Sequence, residues 1–168
     1  LIAKAFEIAS SSAIGSSIKS KWTLNLSNAI SVAVRGALCE LDFTVAKTDN
    51  LFSRYLNMAY DKTGVMFTLP ISCVGQTACL SDAEIKKLTE VFAKFAVAYQ
   101  IRDDEADYLG NKTGRATMSD ILNERPNLYY LLSKSERHSS DLFKHASNFH
   151  EKLIEEAEVG LEAFPNSL

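Results

Sequence analysis

The sequence predicts an all-α chain, and three observations carry that prediction. Apolar residues recur at helical spacing in place of strict alternation. Only seven Gly and three Pro interrupt 168 residues, which leaves long unbroken stretches. Ser81-Asp82-Ala83-Glu84 is a capping box, a reciprocal hydrogen-bonding start for a helix, and it opens the longest amphipathic run.

At this length one domain spanning residues 1–168 is expected, large enough to bury a core. The apolar fraction of 46% is ordinary, the net charge is only −3, and the basic residues are scattered. Nothing resembles the basic footprint of a nucleic-acid binder, so nucleic acid is not an expected partner. No run reaches the roughly 18 apolar residues of a membrane span, and the N-terminus lacks the pattern of a secretory signal. The expectation is a soluble chain, cytoplasmic or organellar, and not an integral membrane protein. Cys39, Cys73 and Cys79 lie in apolar sequence without metal-ligand spacing and read as reduced core thiols. The chain begins at Leu1 on residues that already look helical, so it reads as a piece of a longer translation product.

Residues 1–10 place Leu1, Ala5 and Ile8 on one stripe with Ile2, Phe6 and Ala9 beside it, which predicts the first helix. The Ser-rich residues 10–20 with Gly15 predict a break. A second helix is expected from about Leu24 to Thr48, with Ile30, Val34, Leu38 and Leu41 in register and Arg35, Glu40 and Asp42 as charged interruptions. Residues 49–70 form a third segment. Gly64 and Pro70 predict a bend or break near Lys62–Gly64, which would free backbone groups and could point Lys62 into a cavity, although Asp61-Lys62-Thr63-Gly64 taken alone reads first as an exposed turn.

From Ser81 the central helix carries Ile85, Leu88, Phe92, Phe95 and Tyr99 as an apolar stripe that ends at an acidic cluster. Asp103, Asp104 and Asp107 stand at i, i+1 and i+4, so all three can edge one helical face. Like charges there repel, and carboxylates near a helix C-terminus also oppose the macrodipole. A hard divalent cation reverses that sign. Mg²⁺ takes one or two carboxylates, waters and phosphate oxygens, which makes a diphosphate site one reading and a solvated acidic helix end the other. Gly110-Asn111-Lys112-Thr113-Gly114-Arg115 follows directly, a loop that either balances charge or closes over phosphates. Ser119-Asp120 starts a short helix, Arg125-Pro126-Asn127 breaks it, Leu128 to Leu132 is apolar, and a last helix is expected from about Ser139 to Phe164. That helix is expected to bury Leu142, Ala146, Phe149 and Leu153, with Ile154, Ala157, Leu161 and Phe164 continuing the stripe. His138, His145 and His150 share no ligand spacing.

The order of these pieces resembles the C-terminal half of the trans-isoprenyl diphosphate synthases, the polyprenyl synthetase family. Gln100, Asp103, Asp104 and Asp107 match its second aspartate-rich motif, and Lys62-Thr63-Gly64 matches its Lys-Thr pair. Leu1 to Glu7 is similar to the helix after its first aspartate-rich motif, Gly114-Arg115 with Ser119-Asp120 to its Gly-Lys and Asp loop, and Glu156 to Ser167 to its final region. The resemblance implies C-terminal helices of an isoprenoid-synthase-type bundle, completed by a missing or separate N-terminal segment. It implies Mg²⁺ held directly or through water by Asp103, Asp104 and Asp107, diphosphate contacted by Lys62 and Arg115, and a reacting centre formed by Lys62 with Thr63 and Gln100. The implied activity is prenyl transfer between an allylic diphosphate and isopentenyl diphosphate, not by this chain alone. The implied partner is an N-terminal half or another subunit, in a homo- or hetero-oligomer. A terpene cyclase of the same fold and a non-catalytic regulatory subunit are the alternatives. The chain departs from the family at Arg115 and Arg125, where Lys is usual, at Cys39 to Asp42, where a Gln-x-x-Asp pattern is usual, and in lacking the first aspartate-rich motif.

Overall fold

The computed structural model describes residues 1–43, 51–114, 116–123, 125–133 and 139–164. Among them every regular element is helical: α1 (Ile2–Ser11), α2 (Ser16–Leu41), α3 (Leu51–Ala59), a π-helical turn (Tyr60–Gly64), α4 (Val65–Thr77), α5 (Asp82–Tyr108), α6 (Ser119–Leu122), α7 (Leu128–Ser133) and α8 (Ser139–Glu162).

The expected break over residues 10–20 is shorter than the sequence suggests, because α2 begins at Ser16. The hydroxyls of Ser20, Thr23 and Ser31 each donate to the carbonyl four residues earlier, so their polar groups are satisfied within the helix. The helix ends at Leu41, and residues 44–48 of the expected span lie outside those described.

The central helix starts as predicted. Glu84 N–H donates to Ser81 Oγ at 3.3 Å, and Ser81 N–H donates to Glu84 Oε2 at 2.7 Å. The buried face differs from the expected stripe. Ile85, Leu88, Phe92 and Phe95 are half-buried and Tyr99 is exposed, whereas Val91, Ala98, Ile101 and Asp104 form the buried line. Small side chains are the physical reason: Ala96 and Ala98 have no accessible surface and allow neighbouring helices close to α5. α5 packs chiefly on α8 and α4, and also touches the π turn, α3, α6 and α7.

A cluster of Tyr55, Met58, Ala59, Ile101, Leu128, Tyr129, Leu131, Leu132 and Ala146 fills the space beneath the aspartates. Tyr129 sits between Tyr108 and Phe143, with ring centroids 5.7 and 5.0 Å away. Full burial of one such side chain stabilises by roughly 1.5–3 kcal/mol, so this cluster fixes the C-terminal end of α5 firmly. The cysteines are free, but Cys39 and Cys79 are exposed and only Cys73 is half-buried, which corrects the expectation of core thiols. Helical spacing put them among apolar neighbours, but Cys39 lines an open groove between α2 and α3 and Cys79 lies in the turn after α4. No helix among the described residues is long and apolar enough to cross a membrane.

Candidate functional site

The bend expected near Lys62–Gly64 is a π-helical turn, in which Val65 N–H reaches Tyr60 O instead of the residue four back. Such turns insert one extra residue into a continuing helix and re-aim the side chains around it. Here Lys62 and Thr63 take different directions. Lys62 Nζ is 2.7 Å from Glu40 Oε1 on α2, and the Thr63 hydroxyl donates to Gln100 Oε1 on α5 at 2.9 Å. Gly36 permits the approach on the α2 side, since a methyl there would lie 2.7 Å from the Asp61 carbonyl carbon and 2.8 Å from Lys62 Cα. Arg35 adds an ion pair to Asp61 at 2.9 Å.

Gln100 passes the connection on, donating from Nε2 to Asp104 Oδ1 at 2.9 Å. Asp104 Oδ2 accepts from the Tyr55 hydroxyl and from Leu128 N–H, both at 2.7 Å. Asn127, fully buried, donates to the Asp104 carbonyl at 2.9 Å while its own Oδ1 accepts the Tyr129 amide at 3.0 Å. Only 2% of Asp104 is accessible, so burial drives its carboxyl up to about 6 even though the three hydrogen bonds favour the charged form. Every buried side-chain nitrogen and oxygen among the described residues has a partner.

Asp107 has another role in the local geometry. Its Oδ1 accepts the Ser119 hydroxyl at 2.6 Å and its Oδ2 accepts the Asp120 amide at 3.0 Å, so it closes the start of α6. Burial would push Asp107 up, but these bonds and the nearby Lys112 charge leave it below the usual carboxylate range. The intervening loop starts from a Schellman-type helix end, with Asn111 N–H on Ala106 O at 2.8 Å and Gly110 at a φ of 76°. It returns through Met118 N–H on Asp107 O at 2.9 Å.

Asp103 is the open carboxylate of the three, with 40% of its side chain accessible. Lys112 donates to its Oδ2 at 2.8 Å and lies 3.8 Å from Asp120 Oδ2. The three aspartates therefore do not converge on one point; they face solvent, the core and the loop respectively. No group of three or more His, Cys, Asp or Glu among the described residues is placed to hold a metal ion. An oxygen-only set with one accessible carboxylate, and with a cation already bridging Asp103 and Asp120, fits Mg²⁺, which needs few protein ligands. Arg115 lies outside the described residues. The sequence carries no sign of Tyr55 in the site, marks Asn127 only as part of a helix break, and marks Glu40 only as a charged interruption of α2.

The sequence profile of the polyprenyl synthetase family matches residues 1–160, and the chain belongs to that family. Its fold is the all-α isoprenoid-synthase fold. It superposes with a TM-score of 0.80 on a geranylgeranyl pyrophosphate synthetase from the archaeon Geoglobus acetivorans, at 22% identity over 98% of this chain. The geranylgeranyl pyrophosphate synthetase from Pyrococcus horikoshii Ot3 gives the same TM-score, identity and coverage of this chain. The chain spans 58–59% of the length of those two structures. Comparison with curated proteins returns no match.

Proposed function

We propose that this chain supplies the second aspartate-rich wall and the lysine arm of a prenyltransferase joining an allylic diphosphate to isopentenyl diphosphate. The observation that carries the proposal is the hydrogen-bond relay Thr63 to Gln100 to Asp104, which ties the π turn bearing Lys62 to the helix end bearing Asp103. The relay fixes the backbone of the Lys62 turn against the helix end that carries Asp103, while the Lys62 ammonium itself rests on Glu40. A lysine and a carboxylate on joined elements are the pairing a diphosphate and its counter-ion require.

In this reading Asp103 is the direct Mg²⁺ ligand. Asp104 and Asp107 act through water or by holding the helix end and the loop in place, since both already accept bonds from protein donors. Mg²⁺, when bound, supplies positive charge against the departing diphosphate, which favours ionisation of the allylic substrate. Lys62 contacts the diphosphate by exchanging Glu40 for phosphate oxygens, and Arg115 closes over the phosphates from the loop. Thr63 and Gln100 line the reacting centre, where their mutual bond leaves few polar groups free to deliver water to a carbocation. The remaining wall of the site comes from an N-terminal segment or another subunit.

The test is incubation of the particle that contains this chain, with whatever chains accompany it, with Mg²⁺, allylic diphosphates of several lengths and labelled isopentenyl diphosphate. Label in a longer prenyl diphosphate is the expected result. Diphosphate release with a hydrocarbon or alcohol product and no label incorporation would instead indicate cyclisation. Neither product from a particle shown to contain both aspartate motifs would indicate a regulatory subunit.

A further inference from the structure

Lys112 has a larger role in the geometry than a loop lysine needs. It stands nine residues beyond Asp103 in a loop turned back by Gly110 and Gly114, whose φ angles are 76° and 78°. Only 13% of its side chain is accessible, although the loop around it is largely exposed. Its ammonium is 2.8 Å from Asp103 and 3.8 Å from Asp120, two carboxylates on different elements. The loop is anchored at both ends on Asp107, through Gly110 N–H and Met118 N–H to its carbonyl at 3.2 and 2.9 Å. That anchoring holds Lys112 over the acidic helix end instead of letting it sweep through solvent.

We propose that Lys112 is the resident counter-cation of the metal site, occupying the Asp103 carboxylate until a divalent ion displaces it. The proposal rests on the reading of Asp103 as a metal ligand. An ammonium and a hard divalent ion both seek carboxylate oxygens, and Lys112 already holds Asp103 Oδ2 at hydrogen-bond distance. Metal binding at Asp103 is then an exchange of one cation for another. The exchange lowers the apparent metal affinity but keeps Asp103 and Asp120 from repelling each other while the ion is away. Asp120 remains the second partner, so the displaced ammonium stays beside the site and does not leave it.

The experiment is Mn²⁺ binding to the full chain, followed by loss of the free-ion electron paramagnetic resonance signal and checked with Mg²⁺ by calorimetry. Wild type is compared with Lys112→Met, Lys112→Arg and Asp103→Asn. Lys112→Met is expected to bind the ion about three- to tenfold more tightly, because the competitor is gone while every carboxylate remains. Lys112→Arg, which keeps the charge, is expected to stay within about twofold of wild type. Melting of metal-free Lys112→Met is expected to shift upward with Mg²⁺ more than wild type does, a readout that also shows whether the variant is folded. Unchanged or weaker metal affinity in Lys112→Met, with binding lost in Asp103→Asn, would overturn the counter-cation role and leave the metal ligand intact. Unchanged affinity in Asp103→Asn would remove the metal reading itself, and the role of Lys112 with it.

Discussion

The Tyr55 hydroxyl donates a 2.7 Å hydrogen bond to Asp104 Oδ2, joining α3 to the aspartate motif across 49 residues of sequence. Tyr55 has no accessible surface and Asp104 only 2%, so the bond is made out of water. Burial, followed by the charge of Asp104, pushes the Tyr55 hydroxyl well above its ordinary range, which keeps it a donor at every pH at which the fold is relevant. Tyr55→Phe leaves the carboxylate with one fewer donor in the same apolar surroundings. A loss of about 1–3 kcal/mol is expected by urea unfolding at pH 7. Wild-type stability in this variant would show that the contact is dispensable.

Asp104 gives a pH dependence of unusual sign. Its carboxyl rises from an unfolded value near 3.8 to about 6 in the fold. Between those values the native state binds more protons than the unfolded state, so the contribution of this group to stability falls as pH rises from about 4 to 6. A shift of this size corresponds to about 3 kcal/mol at full development. Asp104→Asn removes the charge and keeps a carbonyl acceptor for Tyr55 and Leu128, while its new amide nitrogen makes Gln100 turn over so that Oε1 accepts from it and Nε2 donates to the Thr63 hydroxyl. Denaturation in the absence of divalent ions is expected to show equal or greater stability than wild type at pH 7, with the pH 4–6 slope flattened. A variant several kcal/mol less stable at pH 7 would contradict this account.

Asp107 works in the opposite direction, since its carboxyl is depressed. Its stabilising contribution is complete above the ordinary carboxylate range and is lost as pH falls through its lowered value. Asp107→Asn puts an amide donor against either the Ser119 hydroxyl or the Asp120 N–H. Amide exchange at Met118 and Asp120 is expected to accelerate by about tenfold or more, with the α5 core amides unchanged. Equal acceleration throughout α5 would mean that Asp107 supports the whole helix and not the loop.

Gly36 tests the packing that positions the lysine arm. A methyl at this position meets the backbone of Asp61 and Lys62, which cannot swing aside as a side-chain tip could. Gly36→Ala is expected to cost about 1–3 kcal/mol in denaturant unfolding and to displace the π turn. An unaffected midpoint would mean that α2 and the π turn slide apart freely.

The helical class, the Ser81 cap and the disturbance at Lys62–Gly64 were legible because each is a local property of the chain. Spacing, a capping side chain and a glycine act within one or two turns. The aspartate cluster was legible as a motif, but not the division of labour within it. Asp103 and Asp104 are adjacent, so what separates an open carboxylate from a buried one is the company each keeps, and that company is Tyr55, Asn127 and Leu128 on other elements. No periodicity announces that Tyr55 will meet Asp104. Glu40 was hidden for a related reason: in sequence it interrupts an apolar helix, and only the close passage at Gly36 shows that it faces Lys62. The Ser-rich start of α2 misled because hydroxyls that favour turns can also bond back along a helix.

The most direct test of the central claim, that Lys62 and Asp103 are two arms of one metal-diphosphate site, is calorimetric titration of the full chain with inorganic pyrophosphate, with and without Mg²⁺. The account predicts binding to wild type that strengthens at least about tenfold with Mg²⁺. In Asp103→Asn the Mg²⁺ enhancement disappears, and in Lys62→Ala binding weakens under both conditions. Pyrophosphate binding that is indifferent to Mg²⁺, to Asp103 and to Lys62 would contradict it.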